Sequence, residues 1–163
     1  PEVLLESYWK DLNQAESEGR NVLCEKYAYM MKRTYPEEYE AIREHLPVPS
    51  TEKVWLTEWI SNALTACQEE LSSRYPCLIR QGRPVRQEDD RPGTVSFETY
   101  LRGELLTYSV ETLRTYAAYI EKLGKDGKNL CLMILDNMVH HYGYADIAAA
   151  ETAAETRLCQ KVH

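Results

Sequence analysis

The sequence predicts an all-α fold, a bundle of about seven or eight antiparallel helices. Three observations point there. Gly and Pro stand at only 7 each in 163 residues, while Tyr, Leu, Glu and Ala are abundant. Apolar residues recur at three- and four-residue spacing between short breaks. Nowhere does a period-2 alternation of β-branched residues persist, so no sheet is expected. The length suits one buried core rather than two, so residues 1–163 are read as a single helical domain.

The elements follow in order. "EVLLESYWKDLNQAESEG" places Val3, Leu4, Tyr8 and Leu12 near helical spacing and stops at Gly19. "NVLCEKYAYMMKRTY" carries Leu23, Tyr27, Met30 and Met31 on one stripe. Pro36 suits the first turn of a short helix, "PEEYEAIREHL", which ends before Pro47 and Pro49. The strongest helical signal is "VPSTEKVWLTEWISNALTACQEELSSRY". There Ser50 is placed to cap, Glu52 sits in the first turn, and Leu56, Ile60, Ala63, Leu64, Cys67 and Leu71 form one apolar face. Residues 76–95 are the long irregular stretch, dense in Arg and Asp. Four more helices follow, in "FETYLRGELLTY", "SVETLRTYAAYIEKLGKDG", "NLCLMILDNMVHHYG" and "ADIAAAETAAETRLCQ". Buried positions are expected at Tyr8, Leu12, Leu23, Tyr27, Leu56, Ile60, Leu64, Leu105, Tyr116, Ile120, Leu132 and Leu135.

One turn is written twice. At an offset of 108 positions Leu5 matches Leu113, Tyr8 matches Tyr116, Gly19 matches Gly127, Asn21 matches Asn129 and Met30 matches Met138. A left-handed glycine closes a helix, and an Asn two residues on caps the next, which makes an αα-hairpin. An internal duplication follows as an expectation: residues 1–46 form half a repeat and 51–163 a full one. Pro1 aligns with Ser109, so the counterpart of residues 51–108 would lie upstream. A chain opening on Pro1 rather than Met fits a trimmed product or a start further upstream.

Charge and cysteine usage exclude several classes. A formal net charge of −7 with no Lys/Arg run disfavours nucleic acid as a partner. No stretch approaches the about 18–20 apolar residues of a membrane span, and the N-terminus shows no export signal. Five cysteines at wide spacing, without a C-x-x-C pair, fit reduced thiols in a cytoplasmic protein.

Chemistry-bearing residues concentrate in two places. "SFETYLRGELLTYS" sets Glu98 and Arg102, and Tyr100 and Glu104, at i, i+4, with Tyr108 four beyond Glu104. Either this is a salt-bridged surface helix or it lines a ligand, with Gly103 allowing a close approach. "RQGRPVRQEDDRPG" offers Arg83 and Arg86, suited to bidentate capture of carboxylate or phosphate, on either a functional or a merely structural loop. His140 and His141 point about 100° apart on a helix and do not converge on one ion, so no metal and no cofactor are expected. Asp136 and His140, at i, i+4, could bind a metal with help from elsewhere, or both histidines could simply face the negative end of a helix dipole. No E-x-x-H, G-x-S-x-G, P-loop or H-E-x-x-H pattern occurs.

The stretches "LLESYWKDLNQAESEGRNVLCEKYAYMMKRTYPEEYEAI", "GRPVRQEDDRPGT" and "SFETYLRGELLTYSVETLRTYAAYI" together resemble a bacterial family of uncharacterised proteins, domain of unknown function four-one-two-five. The resemblance runs to "YGYADIAAAE". It implies a longer N-terminal part, with a Trp-bearing helix and a Gly-Gly-Arg segment, and no particular reaction. It also implies an association of some members with nucleotidyltransferase-like domains, hence a helical partner module.

Two functions are therefore expected in competition. The first is a helical ligand- or protein-binding, regulatory module for a small anionic ligand or a partner protein, using Arg83, Arg86, Glu98, Arg102, Glu104 and Tyr108. The alternative is an enzyme acting on a small anionic substrate, with Glu98 or Glu104 as base and Arg102 as anion clamp. A buried carboxylate lining a pocket would favour the enzyme, and a flat apolar docking surface would favour the module.

Overall fold

A computed structural model of the protein describes residues 2–160, so the outermost bounds of the expected domain lie outside the described residues. Nine α-helices and no strands occur among them. They are α1 (Glu2–Ser17), α2 (Val22–Thr34), α3 (Pro36–Ile42), α4 (Thr51–Arg74), α5 (Pro76–Ile79), α6 (Phe97–Leu105), α7 (Val110–Lys125), α8 (Leu130–His141) and α9 (Ile147–Gln160). The helix beyond the expected count is α5, a single turn started by Pro76 inside the stretch read as irregular.

The expected Ser50 cap is formed, and two serines not singled out in the sequence cap in the same way. Ser50, Ser96 and Ser109 each accept a backbone N–H three residues on, opening α4, α6 and α7. The two hinges of the repeated turn have matching geometry. Gly19 (φ 68) and Gly127 (φ 66) are both left-handed. Asn21 accepts from the Cys24 N–H and Asn129 from the Leu132 N–H, each at 3.0 Å. The backbone N–H groups of Arg20 and Lys128 reach Ala15 and Leu123, each at 2.8 Å. The helices they follow, α1 and α7, are sixteen residues each.

α4 is the central element, packed against α6, α7 and α8. Leu56, Ile60, Leu64 and Leu71 of α4 join Leu105, Leu113, Cys131, Leu135, Val139, Ile147 and Ala150 in one buried cluster. Each such Leu or Ile contributes about 1.5–3 kcal/mol by leaving water. A second stripe on α4, Thr57, Ser61 and Thr65, is buried too, and its hydroxyls have no hydrogen-bond partner. α1 lies on α7, joined by a 2.7 Å hydrogen bond between the hydroxyls of Ser7 and Thr112. Asp11 Oδ2 accepts the Ser109 N–H at 2.8 Å. α2 lies on α6 and carries α3 on another side.

The expected core holds at Leu56, Ile60, Leu64, Leu105 and Leu135. Tyr8, Leu12, Tyr116, Ile120 and Leu132 are half-buried. Leu23 and Tyr27 are exposed, against expectation. Charge decides how α2 is turned. Glu25 is buried with the Arg20 guanidinium across its carboxylate, and Lys26 is buried against Glu104 of α6. A buried charge is costly unless paired, so these two pairs set the helix face and leave Leu23 and Tyr27 toward solvent.

Candidate functional site

The stretch from residue 80 to 95 is tied to α6. The Phe97 and Glu98 N–H groups donate to the carbonyls of Pro84 and Val85 at 2.8 and 3.1 Å. Asp90 accepts from the Ser96 N–H at 2.7 Å and from the Thr99 hydroxyl, so this acidic residue fixes the start of α6. α6 in turn presents two ionic clusters, one on each side.

The first cluster gathers Arg86, Glu98 and Arg102. Glu98 is 3% exposed. Its Oε1 accepts from Arg102 Nη1 at 2.7 Å and its Oε2 from the Gln87 N–H at 3.0 Å. Arg102 also donates to Gln87 Oε1, to Glu58 Oε2 at 2.7 Å and to Asn62 Oδ1. Only its Nε is buried without a partner. Arg86 forks onto both oxygens of Glu69, each at 2.6 Å, which clamps the loop to α4. That hydrogen-bonded fork holds the Glu69 carboxyl below its usual range and raises the Arg86 guanidinium.

The second cluster gathers Glu104 and Tyr108 with Lys26 of α2. Glu104 Oε2 accepts from Lys26 Nζ at 2.7 Å and Oε1 from the Tyr108 hydroxyl at 2.9 Å. Burial, reinforced by Glu104, pushes the Tyr108 phenol up, and its ring packs 4.9 Å from that of Tyr8. Burial pulls Lys26 down, but its contacts with Glu104 and Tyr100 outweigh this and its pKa ends above the ordinary lysine value. Lys26 and Arg83 both lie over the Tyr100 ring, at 3.5 and 4.4 Å from its centroid. The six residues singled out in the sequence therefore do not share one site. Arg86, Glu98 and Arg102 meet, Glu104 and Tyr108 meet elsewhere, and Arg83 joins the second group through Tyr100.

Of the six, Arg102 alone reaches the cleft between α2, α3, α4 and α6, whose volume is about 680 Å³. Lys32, Arg33, Arg43 and Arg102 line it against only Glu44 and Glu58. Thr57, 2% exposed and with an unpartnered hydroxyl, belongs to the same wall. Tyr29 lines it as well, its hydroxyl donating to the Pro47 carbonyl at 2.9 Å, and burial pushes its phenol up to about 12. Glu98 and Glu104 do not line this cleft, and both oxygens of each carboxylate are already hydrogen-bonded.

Sequence reasoning missed Thr57, Lys26, Arg33 and Glu58. The i, i+4 run of Thr57, Ser61 and Thr65 was a readable signal, because three hydroxyls on one flank of a core helix are unusual. Lys26, in contrast, sits in an apolar run and gave none. Arg83 lies instead on the rim of a second, mostly apolar cleft of about 970 Å³ between α4, α5 and α8. Among the described residues no group of three His, Cys, Asp or Glu side chains is gathered to hold a metal ion. No described helix is long and apolar enough to cross a membrane.

No curated protein and no solved structure matches the chain. Residues 1–152 match the family described as "Protein of unknown function (DUF4125)", and the chain belongs to that family.

Proposed function

We propose that the protein is a binding module whose cleft between α2, α3, α4 and α6 takes a small anionic ligand. The observation that carries this reading is the pair of buried polar groups without partners on the cleft wall, Thr57 Oγ1 and Arg102 Nε. A buried hydroxyl or guanidinium N–H left unmade costs about 1–3 kcal/mol, which an oxyanion would offset if the wall side chains shift to meet it. Of the four cations around them, Arg33, Arg43 and Arg102 are paired with Asp90, Glu40 and Glu58. Lys32 makes no ion pair among the described residues, which leaves it to meet a negative occupant. The volume suits a metabolite rather than a polymer.

The enzymatic alternative is weaker. Neither of its two candidate bases, Glu98 and Glu104, lines the cleft that holds Arg102. A general base must lie within hydrogen-bond reach of the substrate proton.

Titration calorimetry with inorganic pyrophosphate and with citrate tests the reading. At least one should bind, and Thr57→Val and Lys32→Gln should each weaken it by about tenfold, ~1.4 kcal/mol. Binding of neither anion, or equal binding by both variants and the parent, would overturn it.

A further inference from the structure

The two hairpins differ in what covers them. On the second, α4 lies across α7 and α8: Leu113 (0% exposed), Cys131 (7%) and Leu135 (4%) are buried in one cluster with Leu56, Ile60 and Leu64. Cys131 Sγ donates directly to the Leu64 carbonyl, which fixes this face as the α4 contact. The residues 108 positions earlier are Leu5, Leu23 and Tyr27, and they are 66%, 56% and 52% exposed. Trp9, also exposed, occupies the place of Ala117. The same apolar face is built twice and covered once.

We propose that the α1–α2 hairpin is a docking seat for one amphipathic helix, chemically like α4, that lies outside residues 2–160. The proposal rests on treating the two hairpins as equivalent and is independent of the anion-binding reading. The charge pattern narrows the partner. In the covered hairpin Arg114 of α7 pairs with Glu52 in the first turn of α4, at 2.7 Å. The residue in the place of Arg114 is Glu6, of opposite charge. The incoming helix should therefore carry Lys or Arg where α4 carries Glu52. Further along, Asn129 donates to Glu70 of α4, and its counterpart Asn21 is the same residue, so an acidic or amide side chain suits that end. Between them the helix needs an aliphatic stripe at i, i+4 and i+8, as Leu56, Ile60 and Leu64 provide. Recognition by such spaced anchors is the common mode for a helix in an apolar groove.

Fluorescence anisotropy of two labelled peptides against the full chain tests this. One has the sequence of residues 51–74, and the other the same sequence with Glu52→Lys. The Glu52→Lys peptide should bind more tightly, by about threefold, as a surface ion pair replaces a repulsion. Leu23→Asp and Tyr27→Asp, both at exposed positions and with an unchanged circular dichroism spectrum as the control for folding, should each weaken it by at least about tenfold. Three results would overturn the proposal. Neither peptide binds; binding is indifferent to Leu23→Asp and Tyr27→Asp, which would mean a peptide displacing the chain's own α4; or the chain alone forms a dimer that Leu23→Asp abolishes, which would assign the face to a second copy.

Discussion

Gly103 of α6 stands so close to Met30 of α2 that a Cβ there would lie 2.8 Å from Met30 Cγ and 3.0 Å from the Lys26 carbonyl oxygen. The Met side chain could swing away, but the backbone oxygen could not. α2 and α6 therefore meet backbone to backbone, and this approach lets Lys26 reach Glu104. Gly103→Ala is expected to destabilise the protein by about 1–3 kcal/mol, as overpacking does. Urea denaturation checks it. An unchanged midpoint would mean that the contact is looser than described.

Thr57→Val separates packing from binding. The substitution keeps the shape and removes an unpartnered buried hydroxyl. Thermal unfolding without ligand should show no loss, or a gain of up to about 1 kcal/mol, since nothing hydrogen-bonded is broken. A clear loss of stability would show that the hydroxyl has a partner in the folded protein, and the cleft would then lose its main support.

Arg102 and Glu98 should be strongly non-additive. Arg102→Met leaves a 3% exposed carboxylate without its closest partner and should cost about 3–5 kcal/mol. Combining it with Glu98→Leu removes the stranded charge and should recover part of that loss. A double-mutant cycle by chemical denaturation measures the difference. Additive losses would show that the two side chains are not coupled.

Glu69 gives a pH test. Its folded pKa lies below the ordinary carboxylate value of 4.5 because Arg86 hydrogen-bonds the charged form. A depressed carboxylate contributes stability above the unfolded pKa and loses it as pH falls through the folded one. The Arg86–Glu69 clamp should therefore persist at neutral pH and release only below about pH 4.5. Carbon-detected NMR titration should place the Glu69 midpoint below 4.5, and Arg86→Gln should return it toward the ordinary value. A parent midpoint at or above 4.5 would refute the clamp.

Local features were legible because they are set by neighbours in the chain. Ser50, Ser96 and Ser109 cap because a short hydroxyl side chain can reach a backbone N–H three residues on. Gly19 and Gly127 end their helices because only glycine takes a left-handed φ without strain. The α4 stripe of Leu56, Ile60 and Leu64 is buried as its period requires.

The candidate site was legible only in part. Glu98 and Arg102 meet as the i, i+4 spacing predicts, and Tyr108 reaches Glu104 for the same reason. That the two pairs belong to different clusters is settled by what faces α6 on each side: Glu58 of α4, and Lys26 of α2. These partners lie tens of positions away, and no spacing rule connects them.

The sequence by itself determined the helical class, the caps and the repeated hinge, all consequences of local backbone and side-chain chemistry. Tertiary structure alone decided the exact turn of α2: of the expected stripe, Met30 is buried and Met31 half-buried, but Leu23 and Tyr27 face solvent. Hydrophobic periodicity ranks faces by apolarity alone, and it is blind to the cost of leaving a buried charge without its partner. Glu25 and Lys26 found their partners, Met30 stayed buried, and only the Leu23 and Tyr27 part of the stripe was left open.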